Sequence, residues 1–304
     1  MANLTYRQNI SRPGYYSFTM PEGFETTMEI HLWGAGGGNS AYALGAGGGY
    51  AKSIVTVAPG DLVEIGVGSQ GKNSSGQSPG KGGYSFLDLK YSGGDGGTAR
   101  DEDNDTGPGA GGGAASAVLI NSLPVCVAAG GGGGSGFGDD LRDGNPGKPG
   151  GIYTTLTANT RGGNGGPGGS GGGGGGGGYL GGLGGAAGGD DRPAGQGGNG
   201  GQNFGNTIIS GSGVKSGGIG TVYDPIGDTG FGTYSGYAVI ILTRKFQIYS
   251  KDSGTWKEIN NAYVKQSGTW KTVSQVYIKN AGEWNPLLST NTISLGDPGK
   301  PSGY

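Results

Sequence analysis

GGNGGPGGSGGGGGGGG, residues 162–178, is glycine at every position except Asn164, Pro167 and Ser170, which recur every third residue. A period of three belongs to the extended left-handed polyproline II helix, which rises about 3.1 Å per residue and makes no internal hydrogen bonds. Its backbone donors and acceptors must therefore be satisfied by neighbouring segments. Glycine on two of three faces lets such segments approach closely, so the stretch predicts a bundle of extended polyglycine helices held by backbone pairing. Collagen is the competing three-residue architecture, and GNPGKPG at Gly144–Gly150 has its spacing, but that run is too short to sustain a triple helix.

Composition agrees that this is no ordinary single-core enzyme. Glycine supplies 79 of 304 residues, so much of the chain has no side chain to bury. The net charge of −2 gives no uniform basic surface for nucleic acid or an anionic membrane. Residues 244–304 hold eight Lys or Arg and four Asp or Glu, leaving that part at +4 and the rest at −6. The single cysteine, Cys126, lies in the apolar stretch LPVCVAA and reads as a buried, inert thiol. No export signal opens the sequence and no run approaches eighteen apolar residues, so synthesis in the cytoplasm without membrane insertion is expected.

Short β-branched and aromatic runs bounded by Gly and Pro predict strands at Tyr15–Met20, Thr26–Trp33, Tyr50–Val57, Asp61–Val67, Tyr84–Lys90, Ala115–Ile120, Leu123–Ala129 and Tyr237–Thr243. In Thr26–Trp33, Met28, Ile30 and Leu32 share one parity, with Glu29 and His31 on the outward one. The fold expected is all-β with almost no α-helix: a jelly-roll-like β-sandwich over 1–245 with a large polyglycine insert at about 130–236. Three 14-residue hairpin repeats over 246–290 and a tail at 291–304 follow. The repeats read YSKDSGTWKEI, YVKQSGTWKTV and YIKNAGEWNPL from Tyr249, Tyr263 and Tyr277, with Trp256, Trp270 and Trp284 in phase. One short hairpin cannot bury its apolar face alone, so these six aromatic residues are expected to pack and to support assembly.

No residue set for catalysis, a cofactor or a multi-ligand metal site stands out. GVGSQGKN at Gly66–Asn73 has Asn73 where a phosphate-binding loop needs Ser or Thr, and no helix is expected after it. His31 is the only histidine and reads as an ordinary strand residue. Asp101, Asp103 and Asp105 in DEDNDTG are a weak calcium-loop candidate. The glycine comes one position late and Gly112 stands where the bidentate Glu belongs, so a solvated loop is favoured. Phe137, Asp139, Asp140, Tyr179, Asp190 and Asp191 flank glycine runs and are expected at exposed tips.

MPEGFETTMEIHLWGAGGG, GAGGGYAKSIVTVAPGDLVEIGVGSQG and the closing GYAVIILTR, spanning roughly residues 9–245, resemble the glycine-rich domain of many phage tail proteins. LWGAGGG at Leu32–Gly38 and the APGD turn at Ala58–Asp61 carry most of that likeness. A similar arrangement is known from the extracellular region of anaplastic lymphoma kinase, and the SGTWK repeats resemble those ending phage tail-fibre and virion proteins. The resemblance implies a non-enzymatic virion protein of the tail, most simply a tail-fibre or tail-tip component in host attachment. Its implied partners are other virion proteins and a host receptor, either a glycan or an outer-membrane protein, with a homotrimer by analogy. The alternatives are a capsid decoration or baseplate protein, a surface glycan- or ice-binding protein, and, third, a glycan depolymerase.

Overall fold

The computed structural model describes residues 2–20, 26–100, 106–138, 144–151, 161–189, 194–209, 235–246, 248–252, 255–259, 263–272, 277–280 and 283–286. The expected all-β class is observed: one 3-10 turn at Leu89–Tyr91 is the only helical element among the described residues. Strands β1 (Ala2–Ile10), β9 (Tyr237–Phe246), β3 (Thr26–Trp33), β4 (Tyr50–Val57) and β8 (Thr207–Ile209) form one antiparallel sheet in that order. Strands β2 (Gly14–Thr19), β5 (Leu62–Val67), β6 (Ser116–Ile120) and β7 (Leu123–Ala128) form the second. Met28, Ile30, Leu32, Ile240 and Leu242 of the first sheet share one buried cluster with Phe18, Val63, Ile65, Val67, Val118 and Cys126 of the second. Two facing sheets with inward alternation make a sandwich-like body. Within it β3–β4 and β5–β6–β7 are chain-consecutive neighbours, a local meander where a strict jelly roll interleaves distant strands.

Seven of the eight expected strands are present to within a few residues. The eighth, Tyr84–Lys90, is not a strand. Tyr84 is drawn into the glycine array, where its carbonyl accepts the Ser69 N–H at 3.0 Å. Further on, the Asp88 carboxylate accepts the Lys90 N–H and turns the chain into the 3-10 segment. Two strands were not anticipated: the sheet edge β1, and β8, which falls inside the expected insert. Cys126 is buried as expected, and burial pushes its thiol up to about 12, so it stays protonated and unreactive. The APGD turn closes with Gly60 at φ 82° and the Asp61 carboxylate accepting the Ala58 N–H at 2.8 Å.

The glycine segments are direct continuations of the strands. Gly34 follows β3, Gly49 precedes β4, Gly68 follows β5, Ala115 precedes β6 and Ala129 follows β7. The β3–β4 pairing runs on as Gly34 to Gly49, Gly37 to Ala46 and Ser40 to Ala43, and the β6–β7 pairing as Gly113 to Gly131, Ala110 to Gly134 and Gly107 to Phe137. The bonding step changes from two residues to three with no slip of register. A three-residue step also sends donors out of the sheet plane: the Ala35 N–H reaches Ala114 O, joining the two sheets' extensions at 3.0 Å.

The octaglycine 171–178 shows what this geometry achieves. N–H groups of residues 171, 174 and 177 donate to 107, 110 and 113, those of 172 and 175 to 166 and 163, and those of 173 and 176 to 196 and 199, at 2.8–3.0 Å. Its carbonyls accept from 130–136, from 94 and 97, and from 182 and 185, at 2.7–2.9 Å. Three donor segments and three acceptor segments give six around one, and they bond to one another in turn, as in hexagonal packing. Every glycine from 171 to 178 is buried, whereas Asn164 and Pro167 on the neighbouring segment are exposed. Ser170, the third member of that spacing, is buried. The bundle is wider than the expected insert, because segments 34–49, 68–83, 92–98 and 107–115 belong to it.

Steric room, not turn chemistry, dictates the glycine. Among the described glycines only Gly60, Gly76 and Gly268 lie in the left-handed region. A Cβ on Gly174 would sit 2.1 Å from Gly94 O, and one on Gly112 2.0 Å from Gly175 O. Those obstacles are backbone atoms with no rotamer to change. Gly76 is the reverse case, at φ +53° with nothing within 4 Å of an added Cβ. Gly76→Ala should therefore cost about 1–2 kcal/mol of backbone strain. Gly174→Ala should cost more than the usual ~1–3 kcal/mol of overpacking and lower the melting temperature further. Equal melting of the two variants would contradict the steric account.

Candidate functional site

Five segments end together at the end of the bundle farthest from the sheets. Gly107 stands nine residues ahead of Ser116, roughly 25–30 Å at the rise of an extended helix. There the Gly107 N–H donates to Phe137 O at 3.0 Å, Gly136 to Gly171 O at 2.7 Å, Arg100 to Gly168 O at 2.7 Å and Gly188 to Ser170 O at 2.9 Å. Side chains lock the same end. The Ser135 hydroxyl accepts the Asn145 N–H at 2.7 Å, the Asn145 amide donates to Gly195 O at 2.8 Å, and the Ser40 hydroxyl donates to Ser135 O. The Phe137 ring fills the space a Gly107 side chain would occupy. It meets Tyr42 edge to face at 4.9 Å and 81°, and Tyr42 is 47% exposed.

Arg100, Thr106, Gly138, Gly144, Gly189 and Ala194 belong to segments that reach this end. The expected tip and calcium-loop residues Asp101, Asp103, Asp105, Asp139, Asp140, Asp190 and Asp191 lie outside the described residues. Tyr179 is not at this end. It sits at the opposite end of the octaglycine, stacked on Phe204 at 4.5 Å and 16°, each 37% exposed. Reversal of a glycine segment does place an aromatic residue at each end, but on different surfaces. Tyr42 was missed, although NSAY interrupts a glycine run by the same logic that singled out Phe137.

His31 is a second departure from expectation. Parity does put it opposite Met28 and Ile30, yet it is 1% exposed rather than outward-facing. The covering rows are aromatic: Trp33 is in register with Tyr50 on one side and Tyr237 on the other, with ring centroids 5.1 and 5.5 Å away. His31 Nδ1 pairs with the Tyr50 hydroxyl at 2.8 Å and Nε2 with Glu29 Oε1 at 3.0 Å, and Lys52 bridges to the same carboxylate. The Lys52 hydrogen bond chiefly holds the Glu29 carboxyl below its ordinary value, while burial depresses the imidazole.

The repeat aromatics occupy equivalent register positions in three hairpins, β10/β11 (Ile248–Asp252, Thr255–Ile259), β12/β13 (Tyr263–Gln266, Thr269–Thr272) and β14/β15 (Tyr277–Asn280, Glu283–Pro286). Lys251 faces Trp256, Lys265 faces Trp270 and Lys279 faces Trp284. The middle turn has Ser267 and Gly268 at φ 50° and 82°, the two-residue form favoured in hairpins.

Among the described residues no helix is long and apolar enough to cross a membrane, and no group of three or more His, Cys, Asp or Glu is placed to hold a metal ion. The chain matches no family model and no curated protein.

The His31 site makes a pH prediction with a definite sign. A base whose folded-state value is depressed contributes stability that is complete above its unfolded value, near 6.5, and is lost as pH falls through that value toward the folded one. Tyr50, Glu29, Lys52 and Arg7 are the titratable groups that bear on it. The melting temperature should fall between pH 7 and pH 5, and His31→Gln should flatten that slope. Calorimetry at both pH values decides it, and an unchanged slope in the variant would assign the pH effect to other groups.

Proposed function

We propose that this chain is a bacteriophage virion structural protein, a tail-fibre or tail-tip component acting in host attachment, with no enzymatic role. The observation that carries the reading is the end of the glycine bundle. A continuous backbone lattice holds Tyr42 and Phe137 on one surface, remote from the two sheets. Such a lattice has few side-chain rotamers to freeze, so its tip is presented with little ordering cost on contact. An exposed Tyr42 backed by the half-buried Phe137 on a rigid base suits a contact surface, since large rings supply area at low entropy cost. The sequence resemblance to phage tail domains supplies the particle, and a host-surface glycan or outer-membrane protein is the receptor class.

Two measurements separate the location from the contact. Immunogold against this chain should label the tail, whereas label on the capsid shell alone would favour a decoration protein. In particles carrying Tyr42→Ala, host adsorption should slow by about tenfold or more, the range expected when a central aromatic anchor is truncated. Normal adsorption by normally assembled variant particles would move the contact away from this end.

A further inference from the structure

The glycine lattice has an unfilled place along one side. Segment 180–188 donates to the octaglycine and Ser170 through the N–H groups of Gly182, Gly185 and Gly188. Its carbonyls accept from Gly163 and Gly166 on one flank and from Gln196, Asn199 and Gln202 on the other. The enclosed octaglycine has neighbours on all sides, so this segment, bonded to three, is half open. Two ranks of its N–H groups, Leu183 with Ala186 and Gly184 with Ala187, find no acceptor among the described residues. The second rank borders segment 161–168: a Cβ on Gly163 would stand 2.8 Å from Gly184 N, and one on Gly166 2.9 Å from Ala187 N. The Asn164 carbonyl, against which Gly184 packs, also accepts nothing among the described residues. Gly163, Gly166, Gly184 and Ala187 are half-buried, and Asn164 and Leu183 are exposed. These residues form a groove with a glycine floor, donors three residues apart on one wall and an acceptor on the other.

The spacing of these groups selects the occupant. They call for carbonyls about 9 Å apart on a straight chain, which is the three-residue repeat of a polyproline II helix. We infer that the groove is a docking site for an extended, glycine-containing segment of a different protein chain, which lies in it as one more member of the lattice. Gly184 and Ala187 donate to carbonyls three residues apart in that segment, and one of its N–H groups donates to Asn164 O. Every third residue of the segment must be glycine, because a Cβ turned to the floor would meet backbone, as it would elsewhere in the bundle. The other positions accept side chains, and proline there fixes the extended form before contact. A second copy of this chain is a poor source, since its described glycine runs are already bonded within its own lattice. The other flank, beside segment 195–202, carries the longer side chains of Gln196, Asn199 and Gln202. The inference does not rest on the attachment reading, because it follows from the lattice hydrogen bonds alone.

Fluorescence anisotropy of the full chain with a labelled peptide of repeated Gly-Pro-Ser tests it, beside an equally extended Ala-Pro-Ser repeat that puts a Cβ on the floor. The first peptide should bind saturably and the second about tenfold more weakly or worse. Ala187→Pro deletes one groove donor without removing a lattice hydrogen bond and should weaken binding about tenfold. Ala186→Pro deletes a donor of the other rank and should leave binding unchanged, with the melting temperature of both variants compared with the parent. Hydrogen exchange in the parent protein needs no variant: the glycine peptide should slow exchange at Gly184 and Ala187 and not at Leu183 and Ala186. Absence of binding, equal binding of the two peptides, or protection of the other rank would each overturn the inference. Sedimentation without peptide supplies the remaining arm, because self-association that is lost in Ala187→Pro would give the groove to a second copy instead.

Discussion

Everything in the glycine-rich body depends on backbone N–H groups bonding in three directions instead of two. A β-strand donates within one plane, so a sheet leaves two faces to be covered by side chains. An extended three-residue helix directs successive donors about 120° apart, so each segment can be surrounded by others. That geometry removes the need for an apolar core, and in exchange it excludes any Cβ on an inward position. The octaglycine is the limiting case, enclosed on all sides, with carbonyl oxygens of its neighbours about where side chains would begin. Segments 107–115 and 129–136 are enclosed in the same way and contain only Gly, Ala and Ser apart from Pro108.

Such a lattice specifies its own register weakly, since one glycine looks like the next. The sandwich supplies what is missing. Its strands fix the pairing before the glycine begins: the β3–β4 register runs on into the bundle, and so does the β6–β7 register from Val118 onward, past a shift at Val118/Leu119. Buried polar side chains pin the junction: Ser116 donates to Trp33 O at 2.8 Å, and Asn203 accepts from the Ala129 N–H at 2.7 Å while donating to Tyr50 O at 3.0 Å. Asn203 occupies the room left by Gly49, where a Cβ would stand 2.5 Å from its oxygen. A buried amide satisfied on both sides discriminates against a slipped register, because any slip strands its polar atoms.

Much of this was legible in the sequence, and the reasons are local. A spacing of one non-glycine in three at Asn164 and Pro167 reports a segment with one face open, and an unbroken run reports a segment with none. Strand runs such as Thr26–Trp33 and Tyr50–Val57 have their own period and β-branched content, so their bounds were readable to the residue. What the sequence hid is tertiary. Tyr84–Lys90 has strand composition but no free partner, since its neighbours already belong to the lattice. His31 obeys the parity read for it, yet burial depends on Trp33, Tyr50 and Tyr237 meeting across three strands distant in the chain. The tip was half legible, because glycine interruptions mark reversals without saying at which end, and so Tyr179 was grouped with Phe137 although the octaglycine separates them.

The same physics divides labour along the chain. Inside the lattice a residue has little chemical freedom, as few positions admit a side chain and those that do hold small ones such as Ala110, Ala114 and Ser135. At segment ends the prohibition lifts, and there the sequence places Tyr42, Phe137, Asn145 and Ser135. Variation at Tyr42 and Phe137 can alter what the bundle touches while the backbone lattice is kept, whereas the Ser135 and Asn145 side chains hydrogen-bond the lattice and hold its end together. The hairpins solve the opposite problem, having too few residues for a core but an unrestricted choice of side chain on either face. Rigidity without side chains and side chains without much core are thus met in different parts of the chain, the first through a backbone lattice and the second through two-stranded hairpins.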